Sequence, residues 1–140
     1  MYFAYGRNMD SETIRDRCPT ATVVCPGRLL DHQFIIIHRG VASVTPVPGA
    51  TVHGVVMMIS AADEAALDRY EGVEGGYYRK VIKPIVCAAD RADKALIYVA
   101  TSTRPGHPRQ GYLEDVIRGA KVSGLPGDYL DELMAWSLKR

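Results

Sequence analysis

The chain has 140 residues, 47% of them apolar and 24% charged, a globular profile whose length predicts one domain over residues 1–140, with a core that needs no metal or disulfide staple. A formal charge of +1 gives no electrostatic reason to expect nucleic acid or a membrane surface as partner, and no apolar run nears the roughly 18 residues of a membrane span. Three cysteines without a C-x-x-C pair, and an opening without basic and apolar signal regions, predict a cytoplasmic protein rather than a disulfide scaffold, a zinc site or a secreted chain.

The first element is a short aromatic strand that breaks at Tyr5-Gly6-Arg7-Asn8. Glycine and asparagine tolerate left-handed backbone, so the break reads as a turn. Because it leads into a helix start, it also reads as a concavity of unpartnered N–H groups suited to an anion. Asp10-Ser11 caps a helix running to about Arg17. Val23-Val24, Phe34 to Ile37 and Thr51 to Met57 follow as β-rich runs, punctuated at Pro26-Gly27, His38-Arg39-Gly40 and Pro46 to Gly49. Ser60 caps a second helix over Ala61 to Tyr70, with Asp63 and Glu64 in its first turn.

Leu67 to Tyr78 is the second notable stretch. Gly72 is placed as the left-handed residue that ends the helix, leaving Glu71 on the final turn. There a carboxylate meets the negative end of the helix dipole, and burial under neighbouring tyrosines raises its pKa further, so it can both take and return a proton near neutral pH. Strands over Tyr77 to Ala88 and Leu96 to Ala100 come next, joined by Asp90 to Asp93, with Pro84 marking an edge or bulge. Gln110 to Ala120 and a segment starting at Pro126 are the last helices. Strands early and helices late indicate an α+β domain with a largely antiparallel or mixed sheet.

An anion-binding loop and a proton-accepting glutamate together suit a small amino acid derivative. Taken singly, Glu71 also reads as a solvated helix-end residue, and Gly72, Gly75 and Gly76 as turn glycines. The glycine run lacks the Gly-Lys-Ser/Thr ending of a phosphate-binding loop, no G-x-S-x-G nucleophile elbow is present, and His32, His38, His53 and His107 show no metal-ligand spacing. No metal or cofactor is expected. Glu74, three residues on, is the rival proton carrier.

Tyr2-Phe3-Ala4-Tyr5-Gly6-x-Asn8, then Glu71-Gly72-Val73 and Tyr78, resemble the γ-glutamylcyclotransferase family. The likeness extends through Arg28-Leu29, Pro48-Gly49, Val52-x-Gly54-Val55-Val56, Tyr112, Gly119-Ala120-Lys121, Gly124-Leu125-Pro126 and Tyr129. It implies a small mixed β-barrel with flanking helices, no cofactor, and a small-molecule γ-glutamyl substrate cyclised to 5-oxoproline with release of an amino acid or amine. By the same resemblance Tyr5, Gly6, Arg7 and Asn8 hold the substrate's α-amino-acid end through backbone amides, Glu71 is the catalytic acid/base, and Tyr78 and Tyr112 line the pocket. Arg7 departs from the family, which has a small serine or threonine there; its side chain either points outward or reaches a second substrate carboxylate. Two further readings are a non-catalytic module that binds a small metabolite in the same pocket, and a specialised enzyme removing a γ-glutamyl group from a biosynthetic intermediate or a γ-glutamylamine.

Overall fold

The computed structural model describes residues 1–87 and 91–137. Five strands, β1 (Tyr2–Ala4), β2 (Thr22–Ile36), β3 (Ala42–Met58), β4 (Tyr78–Val86) and β5 (Ala92–Ala100), close into a barrel in the order β1-β3-β2-β4-β5. All pairings are antiparallel except the closing one, where β1 meets β5 in parallel at Tyr2↔Leu96. The barrel is therefore mixed, as expected. Helices α1 (Ser11–Arg17), α2 (Ala61–Tyr70), α3 (Tyr112–Val122) and α4 (Gly127–Ala135) flank it, and a 3-10 turn over Arg7–Met9 links β1 to α1. Among the described residues no helix is long and apolar enough to cross a membrane.

Phe3, Val52, Val55, Val56, Met57, Ile85 and Ile97 are almost wholly shielded from solvent, and because neighbours along β3 point to opposite faces, the core lies on both sides of the barrel wall. These residues, drawn from β1, β3, β4 and β5, remove their apolar surface from water together, the main favourable contribution to folding. Glycine permits the tightest crossing: a Cβ on Gly54 would lie 2.4 Å from the Ala4 carbonyl oxygen, so β1 and β3 approach only because that side chain is missing.

The predicted helices stand where the caps put them. Asp10 caps α1 through the Thr13 N–H, and Ser60 forms a reciprocal capping box with Asp63 on α2. Of the predicted breaks in the early strands, His38-Arg39-Gly40 holds as the turn between β2 and β3, whereas those at Pro26-Gly27 and Pro46 to Gly49 do not end a strand. Pro26 and Gly27 pair with Val55 and Gly54 inside β2, and Pro46 pairs with His32 inside β3, so two runs became one long bent ribbon whose only turn lies near residues 37–41. Register shifts at Val23/Cys25 and Leu30/His32 explain this, for a bulge absorbs a proline that would break a flat strand. At the second of them Asp31 takes a left-handed φ of 57° and its carboxylate accepts the Gly49 N–H at 3.0 Å. Pro84 does lie on a weakly paired side, since β4 meets β2 through the single bridge Arg28↔Val86. Ala88 and Asp90 fall outside the described residues, while Ala92 and Asp93, expected in a hairpin connection, already belong to β5. At that seam the free thiols of Cys25 and Cys87 come within 2.9 Å.

Gly72 ends α2 with φ +64°, and a Cβ there would sit 2.7 Å from the Tyr77 ring. Gly72→Ala is expected to cost about 1–2 kcal/mol through left-handed strain, read as a lower urea midpoint with an unchanged slope.

Candidate functional site

One open end of the barrel holds a cavity of about 320 Å³. The break after β1 forms its first wall. Strand β1 stops because Gly6 turns the chain, and in the 3-10 turn that follows only Met9 and Asp10 find backbone acceptors, Gly6 O and Arg7 O, at 3.1 and 3.0 Å. The N–H groups at the start of such a turn have no partner within it. A Cβ at Gly6 would lie 3.1 Å from the Tyr112 hydroxyl, so here too bare backbone is what the packing admits.

The second wall is the end of α2. Glu71 donates its N–H to the Leu67 carbonyl at 2.8 Å and closes the helix, while its carboxyl lines the cavity beside the 3-10 turn. Burial pushes this carboxyl up to about 7, against the opposing pull of the Arg17 guanidinium. Burial is thus the leading cause of the shift anticipated from the sequence. The charge of Glu71 in turn helps raise the hydroxyls of Tyr2, Tyr5, Tyr78 and Tyr112, behind burial in every case. Glu74 is exposed and does not line the cavity.

Tyrosines form the floor. The Tyr5 hydroxyl donates to the Tyr98 carbonyl at 2.5 Å, and Asn8 Nδ2 donates to the Tyr2 hydroxyl at 2.9 Å while its Oδ1 accepts from Arg17 at 2.7 Å. Ala42 locks two rings at once: its carbonyl accepts from the Tyr78 hydroxyl at 2.5 Å, and its N–H donates to the Tyr112 hydroxyl at 3.0 Å. The two phenols are therefore unlike. Tyr78 has its proton engaged, whereas Tyr112 receives hydrogen bonds from backbone and keeps an O–H to offer.

All seven residues singled out from the sequence, Tyr5, Gly6, Arg7, Asn8, Glu71, Tyr78 and Tyr112, border this one cavity. The Arg7 side chain leaves it, pairing with Asp115 of α3 at 2.8 Å. Among the cavity residues not foreseen as site residues are Tyr2, Tyr70, Tyr77, Tyr98, Arg17 and Arg39. Arg109 also lines it, from the loop that precedes α3. Arg39 gave no local signal, since it sits in a turn that reads as a simple strand break.

The model of the AIG2-like family matches residues 51–133, and the γ-glutamylcyclotransferases of Mus musculus and Homo sapiens are each 30% identical over 96% of this chain and 77% of theirs. The chain belongs to the AIG2-like γ-glutamylcyclotransferase family. A solved γ-glutamyl cyclotransferase superposes on this member with a TM-score of 0.90 at 29% identity, covering 96% of this chain and 85% of that one. YkqA of Bacillus subtilis shares the fold at a TM-score of 0.82 and 22% identity, matching 99% of this chain and 54% of its own. The family likeness seen in the first eight residues thus extends across the barrel and its helices.

Proposed function

We propose that the protein is a γ-glutamylcyclotransferase whose substrate binds in the cavity between the Tyr5–Asn8 loop and Glu71. The observation that carries this reading is the placement of a carboxyl with a pKa of about 7 beside the Tyr5–Asn8 loop in one cavity. The loop amides take the α-carboxylate of the γ-glutamyl group. Glu71 removes a proton from the α-ammonium, and the freed amine attacks the γ-carbonyl to form the five-membered ring. The former amide C–N bond then breaks, and the proton held by Glu71 passes to the departing nitrogen, giving 5-oxoproline and a free amine.

Attack within one molecule makes positioning the main task, and such positioning is worth on the order of 7–11 kcal/mol. The oxyanion that develops on the γ-carbonyl calls for a donor. Tyr112 suits this better than Tyr78, because the Tyr78 proton is held by Ala42 O. The outward ion pair of Arg7 takes its side chain out of the cavity, so the departure from the family's small residue puts no guanidinium in the way of the loop's function.

The reading is tested by 5-oxoproline release from a panel of γ-glutamyl amino acids, γ-glutamylamines and glutathione. No release by folded protein that is nevertheless heat-stabilised by 5-oxoproline would establish a binding module instead. A second expected result concerns pH. Glu71 must be ionised to accept a proton, so kcat/KM should rise with pH through about 7, with the substrate amine, near ~8 when free, contributing to the same limb. A profile flat between pH 6 and 8 (roughly one pH unit either side of the Glu71 value) would count against Glu71 as the base.

A further inference from the structure

Two arginines on the cavity rim are held in place without a carboxylate partner among the described residues. Arg39, in the turn between β2 and β3, lies over the Tyr77 ring at 3.9 Å from its centroid. Arg109 reaches the same edge from the loop before α3: its Nε donates to the Arg39 carbonyl at 3.0 Å and its N–H to the Gly40 carbonyl at 2.9 Å. The two loops fit closely because Gly40, at φ +82°, has no side chain; a Cβ there would lie 2.6 Å from Arg109 Cγ. Both guanidinium charges act on the Tyr78 hydroxyl.

Among the described residues neither Arg39 nor Arg109 is ion-paired, whereas Arg7 and Arg118 share Asp115, and Lys80 has Glu64 and Asp68. A γ-glutamyl group whose single carboxylate is taken by the opening loop leaves these two cations uncompensated. Two guanidinium groups tethered to one rim suit an anion with two separate acceptor groups. Resting on the cyclotransferase reading, we propose that Arg39 and Arg109 are specificity-determining residues that select a leaving group with two carboxylates, an acidic amino acid joined through its amine to the γ-carbonyl.

The test compares three substrates: γ-glutamylglutamate, γ-glutamylglutamine, which replaces one carboxylate by an isosteric neutral amide, and γ-glutamylbutylamine, which has none on the leaving side. Wild-type kcat/KM is expected to fall about tenfold or more at each step, the scale of a lost charge-assisted hydrogen bond. Arg39→Gln and Arg109→Gln should each shrink the glutamate-over-glutamine preference while turnover of the butylamide stays near wild type. Equal kcat/KM for the glutamate and glutamine compounds in wild type overturns the inference and leaves the cyclotransferase reading standing, as do arginine variants that keep the full preference. Release of 5-oxoproline from none of the three, while other γ-glutamyl compounds or glutathione are turned over, overturns the inference alone; release from no compound at all overturns the cyclotransferase reading, and the inference with it.

Discussion

Glu71→Gln is expected to lower 5-oxoproline release by roughly 10²–10⁴-fold, the usual contribution of one positioned acid/base group, and at the same time to stabilise the fold above neutral pH. The two effects share a cause. Burial raises the carboxyl from 4.5 to about 7, so the folded state prefers it protonated. Stability drawn from that preference is fully present below the unfolded value and is lost as pH rises through about 7. At pH above 8 the ionised group costs the native state about 3 kcal/mol, since each tenfold gain in proton affinity on folding is worth about 1.4 kcal/mol. Glutamine keeps the shape and carries no charge, so the variant should gain in urea midpoint at high pH and hardly at all near pH 4 (below the unfolded carboxylate value). Glu74→Gln serves as the control, with activity and stability near wild type. An active Glu71→Gln beside an inactive Glu74→Gln would show that the proton carrier had been misassigned.

The position of that glutamate was legible in the sequence because everything that places it is local, whereas its role came from the family resemblance. Ser60 starts α2, Gly72 stops it, and Glu71 falls on the last turn; caps and left-handed glycines act over three or four residues. The bend at Gly6 is local in the same way. The long strands were not legible, since their prolines and glycines signal turns in isolation and only the closing barrel converts those signals into bulges. Pairing Pro26 with Val55 is a contact across the sheet, and no pattern within either segment announces it. The rim arginines show the same limit: the Arg109 side chain meets the Arg39 carbonyl across segments some seventy residues apart. Family resemblance supplied the barrel; neither composition nor periodicity distinguished it from other α+β arrangements.

The opening loop depends on a contact equally remote in sequence, and Gly119→Ala should show how much. Helix α3 crosses the 3-10 turn at Gly119, where an added Cβ would stand 2.6 Å from both Met9 C and Asp10 N and 2.8 Å from Met9 O. Those are backbone atoms of the segment that carries the substrate loop, so no side chain can rotate aside to make room. Around the contact, Arg7 pairs with Asp115 at 2.8 Å, and Arg118 bridges Asp115 and Asp10 at 2.7 and 3.0 Å. Helix and turn are thus held in register from both sides, and the displacement is forced on the turn as a whole. Overpacking of this kind costs about 2–3 kcal/mol, to be read from the urea midpoint. Loop amides moved by even a few tenths of an ångström present a poorer site for the α-carboxylate, so KM should rise about tenfold while the pH dependence set by Glu71 stays where it was. Gly124→Ala provides the comparison. Its φ of +73° makes alanine strained there, yet nothing lies within 4 Å of the new Cβ, so it should lose stability by about 1 kcal/mol without a change in KM. Matching KM values in the two variants would mean that α3 supports the barrel but does not position the loop.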